Sequence, residues 1–517
     1  IEVLLNEPLG TISPNVYGHF TEHIGGVIYD GVWVGENSPV PNVNGIRKRL
    51  VNELRKIKAP VVRYPGGCFA DSYSWRDGVG PADKRPRRTN FWADEEKSTA
   101  APTARKFETN RFGTNEFMHL CKLIGCQPYL AANVRSLTAE DFYRWVEYCN
   151  SPAGSTTLAE LRAAAGSPEP FGVRFWGVGN ESWGCGGNFT PQEYAVEFRR
   201  FATWLPRYGQ ALSLVASGPN SGDWSWTRGF FEELVRKDPG QLDSVYGLSL
   251  HDYAWNLSRG RTDDWDQSKG DALAFEAIDW YELLREGQRI EELIEGHWRI
   301  MSEFDAQHRV KLVVDEWGPW YRAGSEATPG DLFEQTPTLR DAVFSAMTLD
   351  IFNRHPEKVA MANCAQLINC LNSLYLAHED KFCVTSVGHV FALYAAHQGG
   401  QSLRTIVSAP SVHYDRDGQP AAFWGLQGSA SLQGKELLLT VVNPHVNEPR
   451  ETAIDLDGAG VASASATTLT SPDIHAHNTF DRPTAVEPQT KALSLNSSAL
   501  TVVFPPASVT RLSLSLT

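Results

Sequence analysis

Apolar positions in the first 400 residues follow two alternating rhythms. Short runs rich in Val, Ile, Leu and Tyr, with polar or turn-forming ends, alternate with longer stretches in which apolar residues recur every three or four positions. The short runs are "NVYGHF" (Asn15 to Phe20), "PVVRYPGG" (Pro60 to Gly67), "QPYLAANV" (Gln127 to Val134), "VRFWGVGNES" (Val173 to Ser182), "LSLVASGP" (Leu212 to Pro219), "VYGLSLHDY" (Val245 to Tyr253), "KLVVDEW" (Lys311 to Trp317) and "VAMANCAQLIN" (Val359 to Asn369). The segments between them read as helices. Ile46, Leu50, Leu54 and Ile57 fall on one stripe, and "TPQE" (Thr190 to Glu193) combines a capping box with proline at the first helical position. Eight strands, each followed by a helix, predict an α/β fold, the (β/α)8 TIM barrel, with a doubly wound sheet as the alternative.

From about Gln401 the pattern becomes period-two alternation in Ser, Thr, Leu and Val, as in "KELLLTVVNP" (Lys435 to Pro444) and "RLSLSLT" (Arg511 to Thr517). Such alternation predicts a C-terminal β-sandwich. Fifteen of the sixteen tryptophans lie before residue 400, which places the same boundary independently. The opening "IEVLLNEPLG" is strand-like and is free to pair with either part.

Charge and cysteine content narrow the function classes. A formal charge of -14 argues against a nucleic-acid partner, and the one basic run, "DKRPRR" (Asp83 to Arg88), reads as a solvated loop. No stretch approaches the roughly 18 apolar residues of a membrane span. Eight cysteines without paired CxxC spacing are neither a disulfide scaffold nor a zinc module, so most thiols are expected free. Cys121 and Cys126 lie five apart on different sides of a helical segment and are not expected to bridge. A reducing, cytoplasmic location follows as the expectation, with secretion left open because the chain starts at Ile1 and not at Met.

"VYGHFTEH" (Val16 to His23) contains His-x-x-Glu-His, a spelling shared with one class of zinc peptidase. Zinc binding by that pattern needs a helix to bring His19 and His23 onto one face. The β-favouring residues, Gly18 and the Gly25-Gly26 stop predict a strand instead, with Glu22 and His23 emerging at its carboxyl end. No metal and no cofactor is expected.

Chemistry on a barrel sits where the strands end. Here those ends carry Glu22, Arg63, Asn133, Asn180 with Glu181, His251 with Tyr253, Glu316 and Gln366. Helix capping accounts for Asn at such positions, but Glu and Gln are poor caps. Glu181 and Glu316 end strands that are not neighbours, so their side chains can face each other across the barrel mouth. Glycoside hydrolysis needs that pair: one carboxylic acid protonates the departing oxygen and the other carboxylate attacks the sugar or activates water. Asn180 is placed to hydrogen-bond the sugar 2-hydroxyl. Trp183, Trp317, Trp320 and Tyr321 offer stacking surfaces, with packing as the alternative role. Strand alternation turns Asp315 away from the site.

The motifs "YGHFTEH", "RYPGGCFADSY", "GNESWGCGG", "DEWGPWY" and "AQLINC", in this order, resemble the α-L-arabinofuranosidases of glycoside hydrolase family 51. The resemblance implies a retaining mechanism with Glu181 as acid/base and Glu316 as nucleophile. It also implies that Glu22, Arg63, Asn180, Tyr253 and Gln366 line the sugar pocket, with His251 and Trp320 beside them. Many relatives have Asn where this chain has Cys68, and a thiol donates a weaker hydrogen bond than an amide, so the contact expected there is weaker. The family places the opening strand in the sandwich, giving 1–12 as that strand, 13–398 as the catalytic barrel and 399–517 as the sandwich, and is often oligomeric, so a homo-oligomer is expected. The implied substrates are arabinoxylan, arabinan and their oligosaccharides, cleaved at terminal non-reducing α-L-arabinofuranosyl groups. An endo-β-1,4-glucanase or xylanase on the same barrel is the rival, which a pocket closed by loops such as "NFWADEEKS" (Asn90 to Ser98) would disfavour. A non-catalytic sugar-binding protein would have no need of both glutamates.

Overall fold

The computed structural model describes residues 1–96, 106–327, 331–494 and 500–517. After an opening strand β1 (Glu2–Thr11), the eight apolar runs supply the strands of a closed parallel barrel. These are β2 (Gly18–Phe20), β3 (Val61–Tyr64), β4 (Gln127–Ala132), β5 (Phe175–Val178), β6 (Ser213–Ala216), β7 (Gly247–Ala254), β8 (Lys311–Pro319) and β9 (Val359–Cys364). Closure rests on β9 pairing with β2, Asn363 opposite Gly18 and Cys364 opposite His19, a pair that an open doubly wound sheet lacks. Each strand is buried on both faces, one against helices and one against the barrel axis, which is why the runs are apolar almost throughout. Val61, Tyr129, Phe175, Val215, Val313 and Met361 fill the axis as one buried cluster. The barrel is thus plugged at one end, and polar side chains gather at the other.

Helices α1 (Lys48–Lys56), α2 (Thr114–Ile124), α3 (Ala139–Asn150), α4 (Pro191–Ala202), α5 (Trp224–Val235), α6 (Ala277–Phe304), α7 (Leu339–Arg354) and α8 (Ser386–Tyr394) follow the eight strands in turn. The stripe of α1 packs inward, with Ile46, Leu50, Leu54 and Ile57 all buried. The capping box of α4 forms as its sequence predicts: Glu193 N donates to Thr190 Oγ1 (3.3 Å), and the Glu193 carboxylate accepts from Thr190 N (2.8 Å). One boundary differs. Asn15 to Tyr17 was expected to be strand, but Pro14–Tyr17 is a 3-10 turn capped by Ser13, whose Oγ accepts from Asn15 N (3.3 Å). A Ser cap followed by proline outweighs the β-propensity of Val16 and Tyr17.

Beyond the barrel, an antiparallel seven-stranded sheet runs in the order β1, β10 (Gln401–Ile406), β11 (Gln427–Gln433), β12 (Glu436–Asn443), β15 (Ser508–Leu516), β13 (Val461–Leu469), β14 (Gln489–Ala492). The pair Arg450–Ile454 and Leu500–Phe504 covers it, sharing a core that includes Val3, Leu439, Phe504 and Leu512. Asp350 of α7 ties the two parts together. Its buried carboxylate accepts from Ser429 Oγ and Thr440 Oγ1 of the sheet (both 2.6 Å) and from Tyr394 OH of α8 (3.0 Å).

Candidate active site

A cavity of about 540 Å³ opens at the carboxyl ends of the barrel strands, with Glu22, Cys68, Glu181, His251, Tyr253, Glu316, Trp320 and Gln366 in its wall. Arg63 lies beneath it, fully buried over the Phe20 ring (4.7 Å to the centroid). Its Nη1 donates to Glu316 Oε1 (2.8 Å) and its Nη2 to Asn180 Oδ1 (2.6 Å). Arg63 thereby fixes the Asn180 amide, because the oxygen must face the guanidinium and Nδ2 becomes the donor side. Tyr253 OH donates to the other Glu316 oxygen, Oε2 (2.8 Å). Both oxygens of Glu316 are therefore oriented before any substrate arrives.

Glu181 reaches the cavity by a sharp turn. Its φ of 40° is in the left-handed region, at a cost of about 1 kcal/mol or more for a non-glycine residue. The turn is held by Gly184 N (2.7 Å) and Gly186 N (3.1 Å), which donate to the Glu181 carbonyl. A carboxylate oxygen of Glu181 and one of Glu316 lie within 4.8 Å of each other, with His251 between them. His251 Nδ1 is 2.9 Å from Glu181 Oε1 and 3.5 Å from Glu316 Oε2. Burial pulls the His251 pKa down, but Glu316, Asp315 and Glu181 outweigh it and push the imidazole up to about 10. His251 is therefore a cation at neutral pH. Burial also raises the Glu316 carboxyl, with His251 and Arg63 pulling against that rise.

Asp315 is not turned away, contrary to strand alternation. Its Oδ2 accepts from Tyr129 OH (2.8 Å), and its carboxylate lies 3.5 Å from Arg63 Nε and 3.2 Å from His251 Nε2. The reason is a bulge. Ser249 pairs with Val313 but His251 pairs with Glu316, so β8 carries one extra residue and Asp315 and Glu316 both reach inward.

Glu22 anchors the far wall. Phe69 N (3.0 Å) and Trp92 Nε1 (3.1 Å) donate to its Oε1, and Gln366 Nε2 donates to Oε2 (3.1 Å). Burial pushes the Glu22 carboxyl up to about 7 against the pull of the Phe69 N–H, with Glu316 adding to the rise. Gln366 Oε1 is buried and has no hydrogen-bond partner among the described residues, leaving one acceptor open to a ligand.

A barrel with this pair of carboxylates and this polar cavity matches known proteins along its whole length. The α-L-arabinofuranosidase 1 domain matches residues 53–270, and the α-L-arabinofuranosidase C-terminal domain matches residues 315–508. An intracellular exo-α-L-arabinofuranosidase of Bacteroides ovatus is 34% identical over 506 residues, covering 97% of this chain and 93% of that protein. The crystal structure of the GH51 arabinofuranosidase from Xanthomonas axonopodis pv. citri is 35% identical, with a TM-score of 0.89 over 99% of each chain. The chain belongs to the α-L-arabinofuranosidases of glycoside hydrolase family 51. An arabinose complex of the Thermotoga maritima α-L-arabinofuranosidase is 29% identical with a TM-score of 0.81, over 100% of this chain and 99% of that one. This arabinofuranosidase is a glycoside hydrolase that removes arabinofuranosyl residues, and its substrates are arabinose-containing glycans.

Several side chains in the arabinofuranosidase differ from their sequence-based reading. Cys68 has no thiol hydrogen to offer a sugar, because it is joined to Cys185 in a disulfide across 117 residues of chain. The other six cysteines are free, Cys121 and Cys126 among them. Trp183 and Trp320 line the cavity, and Trp320 meets Tyr253 edge to face (5.1 Å). Trp317 instead packs between Phe352 and Phe391, and Tyr321 is buried with its OH donating to Asp341 Oδ1 (2.8 Å). Asn133 closes a turn by accepting from Ser136 N (2.8 Å) and does not cap the helix that follows, where Thr138 is the cap. Trp92, Asp71 and Cys185 were not singled out from sequence. Only the aromatic loop around Trp92 gave a signal.

The His-x-x-Glu-His segment runs through strand β2, so its two histidines do not share a helical face. His19 is buried against Phe391 (5.1 Å), whereas His23 lies between Glu108 (2.8 Å) and the Tyr64 OH (3.0 Å). Glu181, His251 and Glu316 are close enough to surround an ion. A protonated imidazole, however, offers no lone pair and repels a cation, so the three residues suit acid–base chemistry better than ligation. Full activity is accordingly expected after dialysis against a strong chelator. Loss of activity with EDTA and its return with zinc would contradict this.

Close packing beneath Glu316 explains the second glycine of "RYPGG". A Cβ at Gly67 would lie 2.8 Å from Glu316 Oε1 and 3.3 Å from the Phe20 ring. Gly67→Ala is expected to lower kcat by roughly 100-fold by displacing that carboxylate, with a melting temperature close to wild type. An unchanged kcat would show that Glu316 has slack.

Proposed function

We propose that this enzyme is a retaining exo-glycosidase that releases terminal non-reducing α-L-arabinofuranosyl residues from arabinoxylan, arabinan and their oligosaccharides. Glu316 is the nucleophile and Glu181 the acid/base. The observation that carries the reading is the spacing of the two carboxylates, whose oxygens come within 4.8 Å. Direct attack by a carboxylate fits a separation of about 5 to 5.5 Å, whereas inversion needs roughly 6.5 Å or more to seat a water.

In the first step Glu316 attacks the anomeric carbon, the glycosidic C–O bond breaks, and Glu181 gives its proton to the departing oxygen. In the second step water loses a proton to Glu181 and attacks the same carbon, and Glu316 leaves. Arg63 and Tyr253 hold the nucleophile by one oxygen each, so rotation of the carboxylate is not needed at the moment of attack. The Asn180 amide, turned by Arg63, presents Nδ2 as donor to the sugar 2-hydroxyl. Glu22 and Gln366 take the hydroxyls at the far side of the ring.

Exo action is supported by the far wall, where Trp92 and Phe333 meet edge to face (5.5 Å) beside Glu22 and block a chain from running past the terminal sugar. Lys97 and Ser98, at the end of the loop that sequence pointed to, lie outside the described residues. An endo-glucanase or xylanase would need a groove open on both sides of the carboxylates. The proposal keeps the division into 1–12, 13–398 and 399–517, which the pairing of β1 with β10 supports. A cytoplasmic location draws support from the intracellular relative, and a homo-oligomer from the family resemblance alone. No helix among the described residues is long and apolar enough to cross a membrane.

Following the first-formed product by NMR decides the stereochemistry. An aryl α-L-arabinofuranoside should yield α-arabinofuranose before mutarotation, and a β product would overturn retention. The same enzyme should turn over aryl β-D-xylopyranoside and linear xylan or glucan far more slowly, and faster release from those chains would overturn the exo reading.

A further inference from the structure

The Cys68–Cys185 bridge stands against the side chain that the proposed mechanism asks to move protons. The two sulfurs lie 3.8 Å and 3.6 Å from Glu181 Oε2, while the other oxygen, Oε1, is held by His251 Nδ1 at 2.9 Å. The carboxyl group is thus bracketed by an imidazole on one side and a cystine on the other. Bridged sulfurs carry no hydrogen, so they wall off Oε2 without competing for it. Asn180 Nδ2 also reaches Cys185 Sγ, at 3.8 Å.

The bridge joins two segments that need holding. Cys68 opens the 3-10 turn Cys68–Ser72 after β3, and Cys185 lies in the turn after β5 that carries Glu181 in its left-handed conformation. Asp71 links the same segments through backbone, its Oδ2 accepting from Asn180 N (2.9 Å). Gly186 lies so close to Asn180 that a Cβ there would meet the Asn180 carbonyl oxygen at 1.7 Å. These contacts fix the backbone of the turn but not where the Glu181 carboxylate points. On the Oε2 side the bridge supplies that restraint.

We propose that the Cys68–Cys185 disulfide is a positioning element for Glu181, and that a dithiol entering the active-site cavity opens it and selectively impairs proton transfer to the leaving group. The proposal rests on the reading of Glu181 as acid/base. Access favours this bond, since Cys68 lines the cavity and both cysteines are only half-buried, whereas the six other cysteines are buried. A thiolate of the dithiol attacks one sulfur and breaks the S–S bond, and the second thiol of the reagent resolves the mixed disulfide. The dithiol is oxidised to a cyclic disulfide, two electrons pass to the cystine, and each cysteine ends with one proton. Each new S–H can turn toward Oε2 and compete with the leaving oxygen, and the two turns lose their covalent link.

Non-reducing peptide mapping of the full-length enzyme should recover the Cys68–Cys185 crosslink. Kinetics then compare untreated enzyme, dithiothreitol-treated enzyme, Cys68→Ala/Cys185→Ala and Glu181→Ala, each on an activated aryl arabinofuranoside and on an arabino-oligosaccharide. Opening or deleting the bridge should lower kcat/KM on the oligosaccharide about tenfold, with kcat/KM on the aryl substrate, whose first step needs little protonation, changed by less than about twofold. Reoxidation should restore the treated enzyme, and dithiothreitol should not affect the double variant. Equal losses on both substrates, no loss, or absence of the crosslink would overturn the proposal. If Glu181→Ala itself showed no dependence on the leaving group, the acid/base assignment would fall instead. Should the double variant not fold, the treated wild-type enzyme, with its melting temperature recorded, still decides.

Discussion

Replacing Glu316 with Ala should lower kcat/KM by at least about 10⁴-fold on every arabinofuranoside, good leaving group or poor, a loss of roughly 5.5 kcal/mol in transition-state stabilisation. The substitution removes the atom that bonds to the anomeric carbon, and no neighbour can replace it. Asp315 is the nearest carboxylate by sequence, but its Oδ2 accepts from Tyr129 OH (2.8 Å) and lies 3.5 Å from Arg63 Nε, and its Oδ1 lies 3.2 Å from His251 Nε2, beneath the cavity. The fold should survive. Arg63 keeps Asn180 at 2.6 Å and Asp315 at 3.5 Å, and His251 keeps Glu181 and Asp315, so neither buried cation is stranded. Glu316→Gln, which retains shape without the charge, should be nearly as inactive. With azide and an activated substrate, Glu316→Ala should yield only the β-arabinofuranosyl azide, because the anion enters from the vacated side. A loss confined to poor leaving groups would show that Glu316 is the acid and not the nucleophile.

Sequence exposed the barrel because its strands are buried on both faces and so break cleanly into polar residues at their ends. That break also exposed Glu22, Glu181, Glu316 and Gln366, which are costly to leave at the mouth of a core unless something meets them. Asp315 was misread because alternation assumes an unbroken ladder. The extra residue in β8 is set by its neighbour β7, and nothing within "VVDEW" marks it. The Cys68–Cys185 bridge was hidden for a related reason. Its partners lie 117 residues apart, and only the folding of β3 and β5 on either side of β4 brings the two turns together.

Aromatic residues show where chemistry type stops being informative. Trp317 and Trp320 lie three apart in one motif, yet Trp317 points outward onto Phe352 and Phe391 whereas Trp320 faces the sugar cavity. Residue type alone cannot separate them; Trp317 lies within β8 and Trp320 just past its end. Likewise Trp92 contributes through its indole N–H to Glu22, a role that depends on the geometry of a loop outside the barrel strands.

Glu181→Ala should behave unlike Glu316→Ala, because a lost acid matters only as much as the leaving group needs it. On arabino-oligosaccharides the departing alkoxide is a poor leaving group, and kcat should fall roughly 10³-fold. On an activated aryl arabinofuranoside the first step needs little protonation and should proceed almost as fast as in wild type. The second step still lacks its base, so the glycosyl-enzyme should accumulate, visible as a burst of phenol followed by slow turnover and a low KM. Azide needs no base to attack. It should therefore rescue turnover and form the α-arabinofuranosyl azide, since entry occurs from the face that the leaving group vacated. His251, now facing only Glu316 and Asp315, remains paired, so the defect should lie in proton transfer and not in folding. A β-azide from Glu181→Ala, or equal losses of kcat/KM on aryl and oligosaccharide substrates, would mean that the roles of the two glutamates are reversed or that the configuration is not retained.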